Sequence, residues 1–545
     1  MKKGGLVVQE HRIAIFARCG MDGTAAMHSY IGALTVPKGY ETEFIELPQG
    51  GNVAAAYQHA MEASDARYKI YLDEGNIILK EDLLVTLLHI FGTDETIGLI
   101  GLVGTEQLAA NGIFAQSPHV VGKLLYPNGQ RFDGDEQEND LADVMTVTGN
   151  LIATQYDVPW RSDLFPIDSF WAESQCAEFR RRGYRCVVPQ QEKEWLLTGD
   201  KRAPIHEASR QAFLDTYSAE LFPLVSIIIP TYERLHFFRL ALESVLAQTY
   251  RNLDIFVTDN SHNTETADMM ARDFADDSRI HYEHHPEFDA AGNWARAMAY
   301  DHPNAVYVNW LMDDDLFLPQ KIEKMVGCFF ANPDLSIVTS YRLAIDAEGN
   351  PLPDTPLNAS PFTHTTKLSG ASAGRTMLME QVNFIGEPTT ALVRKDFLLD
   401  GHRLGWTGRE GKYLISDFPT WLRLLAAGNL LYLVEPLSCF RHHAGQDQLS
   451  SERMIAGRIC WALSIAHAIE TGAFLEDDGA RRTAILQWIH GCTVDVGSYK
   501  DKEDVWGSES CRDLIGVLQD MAAALSGGHS PAFSFVARLG GEKMA

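Results

Sequence analysis

Short apolar runs alternate with stretches of helical period from the start of the chain. HRIAIFARC and YETEFIELP read as strands, followed by the helical AAAYQHAMEA, the strand YKIYL, the helical EDLLVTLLHIF and the strand IGLIGLVG. Continuous apolar runs bounded by turn residues fit buried strands, and apolar positions three and four apart fit one face of a helix. The alternation predicts an α/β fold with a largely parallel sheet. At residues 206–222 the pattern becomes a charged, helix-prone segment that reads as a connector. A second α/β unit opens at Pro223 with LVSIIIPTYER and runs to about residue 450. From Ser451 onward the chain reads mainly helical (RICWALSIAHAIE, RDLIGVLQDMAAAL), and its glycine-containing end, LSGGHSPAFSFVARLGGEKMA, reads as partly loose. The expected domains are therefore 1–205, the connector 206–222, 223–450 and 451–545.

The two α/β units resemble each other. GNVAAAYQHAMEASDARYKIYLDEGNIILKEDLL from Gly51 parallels GNWARAMAYDHPNAVYVNWLMDDDLFLPQKIEKMV from Gly292, which aligns Asn52 with Asn293. EFRRRGYRCVVP from Glu178 parallels LRLLAAGNLLYLV from Leu422. A recurrence at about 240 residues is a domain duplication, since solenoid repeats have periods of ~20–50.

Composition narrows the function classes. The chain of 545 residues is 46% hydrophobic and 22% charged, an ordinary globular balance. A net charge of -27 argues against nucleic-acid partners and against electrostatic attachment to anionic lipid. No apolar stretch reaches the ~18 residues of a membrane span, and MKKGGLVVQEHR lacks the apolar region of a signal peptide. The eight cysteines are scattered without a CxxC pair, which suits free thiols in a reducing cytoplasm and disfavours structural zinc.

Ligands of open α/β sheets bind at the carboxyl ends of parallel strands, and three features of the second unit fall there. IIIPTYER places Pro230, Thr231, Tyr232 and Glu233 in a turn after a buried strand. LDIFVTDNSHNTET places Asp259 and Asn260 after another; the aspartate suits either a base N–H or a helix cap. AVYVNWLMDDD ends in Asp313, Asp314 and Asp315. Three carboxylates cannot be buried uncompensated, and clustered oxygen ligands suit Mg2+ or Mn2+ shared with phosphates. A solvated acidic turn is the alternative reading of the triplet alone.

In combination these segments resemble the family 2 glycosyltransferases of the GT-A fold. VSIIIPTYERLHFFRLALESVLAQTY looks like the opening strand and helix of that family, VTDNS its acidic loop, and GNWARAM with LMDDDLFLPQKIEKMV its helix and DxD strand. NFIGEPTTALVRKDF and ISDFPTWLRLLAAGNLLYLVEPLSCFRHHAGQ look like the acceptor half. Two positions depart: Thr258 stands at the first acid of the usual pair, and Glu233 at the usual Asn. The resemblance implies a nucleotide-sugar donor, most commonly a UDP-sugar, held by Pro230, Thr231, Tyr232, Glu233, Asp259, Asn293, Asp313 and Asp314. It implies Mn2+ or Mg2+ on Asp314 and Asp315, with His442 or His443 completing the site. Asp417 matches the base that deprotonates the acceptor hydroxyl, with inversion as the default outcome; an N-cap of the following helix is its alternative role.

The first unit resembles a divergent glycosyltransferase-like branch of the same superfamily. The aspartate triplet aligns with Glu74, Gly75 and Asn76, Asp417 with Ala172, and His442 and His443 with positions near Leu197 and Thr198. Glycine, alanine and leucine side chains neither bind metal nor accept a proton. The expectation is thus two tandem GT-A-like, Rossmann-like nucleotide-diphospho-sugar transferase domains and a C-terminal helical region, with only the second domain catalytic. The acceptor is left open between glycan, lipid-linked glycan and protein, as are homo-oligomer formation and peripheral membrane contact. A bifunctional transferase and a non-catalytic glycan- or nucleotide-binding protein are the competing readings.

Overall fold

The computed structural model describes residues 8–19, 24–48, 50–165, 169–199, 205–355, 359–398, 413, 417–444, 450–500 and 502–526. The expectations for the extreme N-terminus and for the tail after residue 526 lie outside them. The chain divides into two compact units, Met1–Phe222 and Pro223–Ala545.

The main sheet of the first unit runs in the order Glu41–Pro48, Gln9–Cys19, Ala66–Leu72, Leu151–Thr154, Ile97–Gly101, Arg185–Pro189, Leu141–Asp143. The first three strands are parallel, and Leu151–Thr154 is antiparallel to both its neighbours. Alternate residues point to opposite faces. Ala14 and Phe16 enter one core with Tyr57 and Trp160, while Ile13 and Ile15 enter the other with Leu87 and Ile100. The 206–222 stretch contains the helix Glu207–Leu221, which packs into this unit rather than hanging as a tether. Its Tyr217 hydroxyl meets Ser174 Oγ at 2.9 Å and donates to Glu178 at 3.0 Å.

The sheet of the second unit has the order Ile280–His284, Leu253–Asp259, Leu224–Thr231, Ala305–Trp310, Leu392–Arg394, Leu335–Ile345, Asn429–Arg441, Leu316–Phe317. From Leu253–Asp259 to Asn429–Arg441 this repeats, strand for strand, the series from Glu41–Pro48 to Arg185–Pro189. Pairing directions agree as well: the three strands that end at Asp259, Thr231 and Trp310 are parallel, and Leu392–Arg394 is antiparallel to its neighbours.

Register makes the correspondence residue by residue. Ile77 pairs with Leu197 as Leu316 pairs with Cys439, so Asn76 corresponds to Asp315 and Gly75 to Asp314. Carried across the sheet, Pro48 corresponds to Asp259 and Asn150 to Thr389. Two sequence-based matches change. Leu197 corresponds to Cys439, so the counterparts of His442 and His443 are residues 200 and 201, outside the described residues. Asn52 caps the helix Val53–Ala63 by accepting from Ala55 N, whereas Asn293 lies inside the helix Ala290–Ala299. Both stretches contain Gly-Asn, but one precedes its helix and the other lies in the first turn of its helix.

The C-terminal helices Ser451–Thr471, Asp478–Tyr499 and Glu509–Leu525 share one core with the helices Gly370–Glu380 and Asp417–Ala427. Asp417 opens its helix, and Phe418 beside it packs at a tilt against Trp461 with ring centroids 3.8 Å apart. Ser450, Asp477 and Ser508 cap the three helices by accepting from backbone N–H groups three residues on. This region therefore buttresses the helix that begins with Asp417.

Candidate active site

Three adjacent parallel strands deliver the motifs of the second unit to one sheet edge. Thr231 ends the central strand, Asp259 its neighbour on one side, and the aspartate triplet follows Trp310 on the other. The strand Leu224–Thr231 carries a β-branched run buried on both faces, as a central parallel strand requires.

The three aspartates point to different surroundings. Asp313 Oδ2 accepts from Thr231 Oγ1 at 3.0 Å and from Tyr232 N at 3.3 Å, and Oδ1 from Arg234 Nη1 at 3.1 Å. Asp314 Oδ2 lies 3.2 Å from the same Arg234 nitrogen and 3.0 Å from His443 Nε2. Asp315 is fully buried; Oδ2 accepts from Thr389 Oγ1 at 2.6 Å and Oδ1 from Arg441 N at 3.0 Å. Burial pushes the Asp313 carboxyl up to about 6, with Arg234 opposing the rise. It drives that of Asp315 well above the usual carboxylate range, with Asp314 and Glu387 adding to the rise.

Asp315 therefore does not stand beside Asp314 as a metal ligand. Consecutive residues cannot all face one groove, and this one turns into the floor, where it ties the triplet to the strands bearing Thr389 and Arg441. Among the described residues no three His, Cys, Asp or Glu side chains group as a metal cage. What converges is the pair Asp314 and His443. An anionic oxygen and an imidazole suit Mn2+ or Mg2+ whose remaining positions are filled by phosphate and water, so the residues present fit such an ion. His442 is exposed, with its backbone N–H bound to Ile345 O at 2.8 Å and its ring edge-on to Phe440.

The nucleoside residues divide in the same way. Tyr232 is 44% exposed and meets the His262 ring edge-on at 5.9 Å. Pro230 and Thr231 are buried. Glu233 takes a left-handed backbone, φ 48°, fixed by its N–H donating to Ser261 Oγ at 2.8 Å. Asp259, expected to accept from the base, is completely buried and accepts from Ser261 N at 2.8 Å and Tyr282 OH at 2.7 Å. It holds the loop under Glu233 and does not reach the surface. Asn293 is also buried; it accepts from Thr258 Oγ1 at 2.7 Å and donates to Thr231 O at 3.2 Å. Both support the groove from below.

Asp417 lies at the start of its helix, and its Oδ1 is buried without a hydrogen-bond partner among the described residues. Burial raises its pKa. Backbone N–H groups of Phe418 and of Asp417 itself oppose that rise. Glu387 is its electrostatic neighbour and is itself pushed up by burial. Arg342 Nε lies 2.8 Å from Glu387 Oε2.

Four contributors went unassigned in the sequence. Arg234 was visible only as the residue after the turn. Thr389 binds Asp315 and receives Met312 N at 3.2 Å. Trp421, one turn after Asp417, donates to Gly386 O at 3.0 Å, and so links the Gly386–Thr390 turn to the helix of Asp417. Arg441 Nε donates to Asp314 O at 2.8 Å. The quoted segment NFIGEPTTALVRKDF held the only sequence signal for Thr389 and Glu387.

The chain is similar to known proteins over both units. Residues 19–217 match the family model described as Glycosyltransferase like family, and residues 226–399 that of Glycosyl transferase family 2. An uncharacterized glycosyltransferase of Rickettsia felis is 34% identical over 235 residues, 41% of this chain and 35% of that protein. The chain thus spans about a third of the length of that relative. The Escherichia coli UDP-Glc:alpha-D-GlcNAc-diphosphoundecaprenol beta-1,3-glucosyltransferase WfgD is 24% identical over 266 residues, 49% of this chain and 92% of WfgD. Among solved structures, Staphylococcus aureus TarS 1–349 in complex with UDP-GlcNAc superposes with a TM-score of 0.41 at 14% identity, covering 56% of this chain and 84% of TarS 1–349.

Proposed function

We propose that this chain, two glycosyltransferase domains in tandem of which the second belongs to family 2, moves a sugar from a nucleotide-diphosphate donor to an acceptor hydroxyl. The observation that carries the reading is the convergence of Asp314 and His443 at the ends of parallel strands in that domain. Likeness to WfgD supports a UDP-sugar as donor and a lipid-linked glycan as acceptor, ahead of a free glycan or a protein. The work is done in the cytoplasm; among the described residues no helix is long and apolar enough to cross a membrane.

Asp314 and His443 hold Mn2+ or Mg2+, which when bound neutralises charge on the leaving diphosphate. Tyr232 offers its exposed ring to the nucleoside, and Glu233, held in place by Ser261, shapes the same rim. Asp313 fixes the start of the turn through Thr231 and Tyr232 N–H. Asp417 takes the proton of the acceptor hydroxyl as that oxygen attacks the anomeric carbon, giving inversion. Its raised pKa makes it a stronger base than a solvated carboxylate. The first domain is non-catalytic: Gly75 and Pro48 stand where the second has Asp314 and Asp259, and the sequence match sets Ala172 against Asp417; this also weighs against a bifunctional enzyme.

A donor-hydrolysis screen across sugar nucleotides with Mn2+ or Mg2+, on the wild type and Asp314→Ala, tests the proposal. Metal-dependent turnover of at least one donor, lost in the variant, is expected. No turnover and no binding of any donor would sink it in favour of another role for the fold.

A further inference from the structure

Among the described residues, Arg234 is the guanidinium that touches two members of the triplet through a single nitrogen, Nη1, 3.1 Å from Asp313 and 3.2 Å from Asp314. The two carboxylates are nearly buried, with side chains 6% and 10% exposed, whereas that of Arg234 is 29% exposed. Adjacent buried acids need a counter-charge, and Arg234 provides it from within the protein. Asp313 keeps two further donors, Thr231 Oγ1 and Tyr232 N–H. Asp314 offers the oxygen that faces both Arg234 and His443.

That oxygen cannot serve a divalent ion and a guanidinium equally well, because the two cations would then sit side by side and repel. Arg234 stands at the N-terminal end of the helix Leu235–Leu246, so its backbone is anchored while its long side chain can pivot. Guanidinium binds phosphate oxygens in paired, planar contacts at least as well as it binds carboxylate. The diphosphate arriving at Asp314 brings the negative charge that can draw Arg234 away.

We propose that Arg234 is a built-in counter-ion that occupies Asp314 in the donor-free protein and moves to the diphosphate of the donor when the metal takes its place. This rests on the metal reading of Asp314 and His443 above. Metal alone competes with Arg234, whereas metal and nucleotide diphosphate together do not, so the two bind cooperatively.

Mn2+ binding is measured by electron paramagnetic resonance on the wild type, Arg234→Met and Arg234→Lys, alone and with saturating UDP or GDP; nucleotide binding is measured by calorimetry. In Arg234→Met, Mn2+ alone binds at least tenfold tighter than to the wild type, while nucleotide in the presence of Mn2+ binds at least tenfold weaker. Arg234→Lys, which keeps a charge and guards against misfolding, shifts both affinities in the same directions by less. Equal or weaker binding of Mn2+ alone to a folded Arg234→Met protein overturns the proposal and leaves the metal site standing. Absence of Mn2+ binding to the wild type even with nucleotide overturns both.

Discussion

At one strand tip of the second unit stand Asp313, Asp314 and Asp315; at the corresponding tip of the first stand Glu74, Gly75 and Asn76. The scaffolds below the two tips are nearly the same, so the difference isolates what the acids cost and what replaces them. Asp315 is a buried acid held by the Thr389 hydroxyl and the Arg441 backbone N–H. Its counterpart Asn76 is equally buried but neutral: it donates to Asp73 O at 2.9 Å and accepts from Asn150 at 3.3 Å. Asn150 stands where Thr389 does, and its amide also donates to Thr198 Oγ1 at 2.7 Å. The first unit makes the same cross-strand bond with an amide where the second has a carboxyl.

The neighbouring positions follow the same rule. Gly75 takes a left-handed backbone, φ 77°, which a side chain would strain, and a Cβ there would touch the main chain of Gly199 at 3.5 Å. Asp73 and Glu74 are the remaining acids there, and Asp73 pairs with the nearly buried Arg18 at 2.9 Å. A tip with fewer adjacent carboxylates bears less of the cost of like charges held together. The second unit bears that cost at three carboxylates plus Glu387 and Asp417, a pattern expected of a functional site rather than of one selected for stability.

The largest expected effect separates Asp417 from Ala172. Asp417→Asn should lower transfer by roughly 10²–10⁴-fold, the usual contribution of a general base, whereas Ala172→Asp should add no activity to the first unit. Steady-state rates of nucleotide release read both. Because a base acts when deprotonated and burial raises this carboxyl, the acidic limb of the rate profile should lie above the pKa of a free aspartate.

Asn76→Asp asks whether the first unit tolerates the charge of the second. The new carboxylate would face Asp73 O and Glu74 O, which now accept from the amide. A loss of about 2–4 kcal/mol in the stability of that unit is expected in thermal or urea unfolding. In the second unit, Thr389→Val removes the hydroxyl on Asp315 and should cost about 1–2 kcal/mol while weakening nucleotide binding in the presence of Mn2+.

Smallest in its effect on transfer is a pH slope confined to the first unit. Glu173, next to Ala172, has its carboxyl pushed up by burial to about 7. The folded state then holds a proton that the unfolded state releases at its ordinary pKa near 4.5. Its contribution to stability falls as pH rises from about 4.5 to 7, and Glu173→Gln should remove that fall. At pH 8 the variant should be more stable by about 3 kcal/mol, measured by urea unfolding.

The alternating pattern was enough to read both α/β units and the duplication, because buried parallel strands leave long apolar runs. The acid cluster was legible too, as carboxylates ending such a run. The direction of each acid was not. Asp315 turns inward because Thr389 and Arg441, separated from it by 74 and 126 residues, meet it across the sheet. Asp259 was placed on the base for the same reason: Tyr282, on the next strand, holds it below the surface, and nothing local to VTDNS signals that bond. Asn52 and Asn293 shared a short sequence, while their places in the helices were set by different capping residues, Asn52 itself and Asp289.

The central claim, one live site and one that has lost its charge chemistry, is tested most directly by metal-dependent donor turnover in two variants of the full chain. One carries Asp314→Asn; the other carries Asp73→Asn with Glu74→Gln. Turnover should fall at least 10²-fold in the first, the scale of losing one electrostatic contact to the transition state, and stay within about twofold of the wild type in the second. Loss of turnover in a folded Asp73→Asn, Glu74→Gln protein, or its survival in Asp314→Asn, would contradict the account.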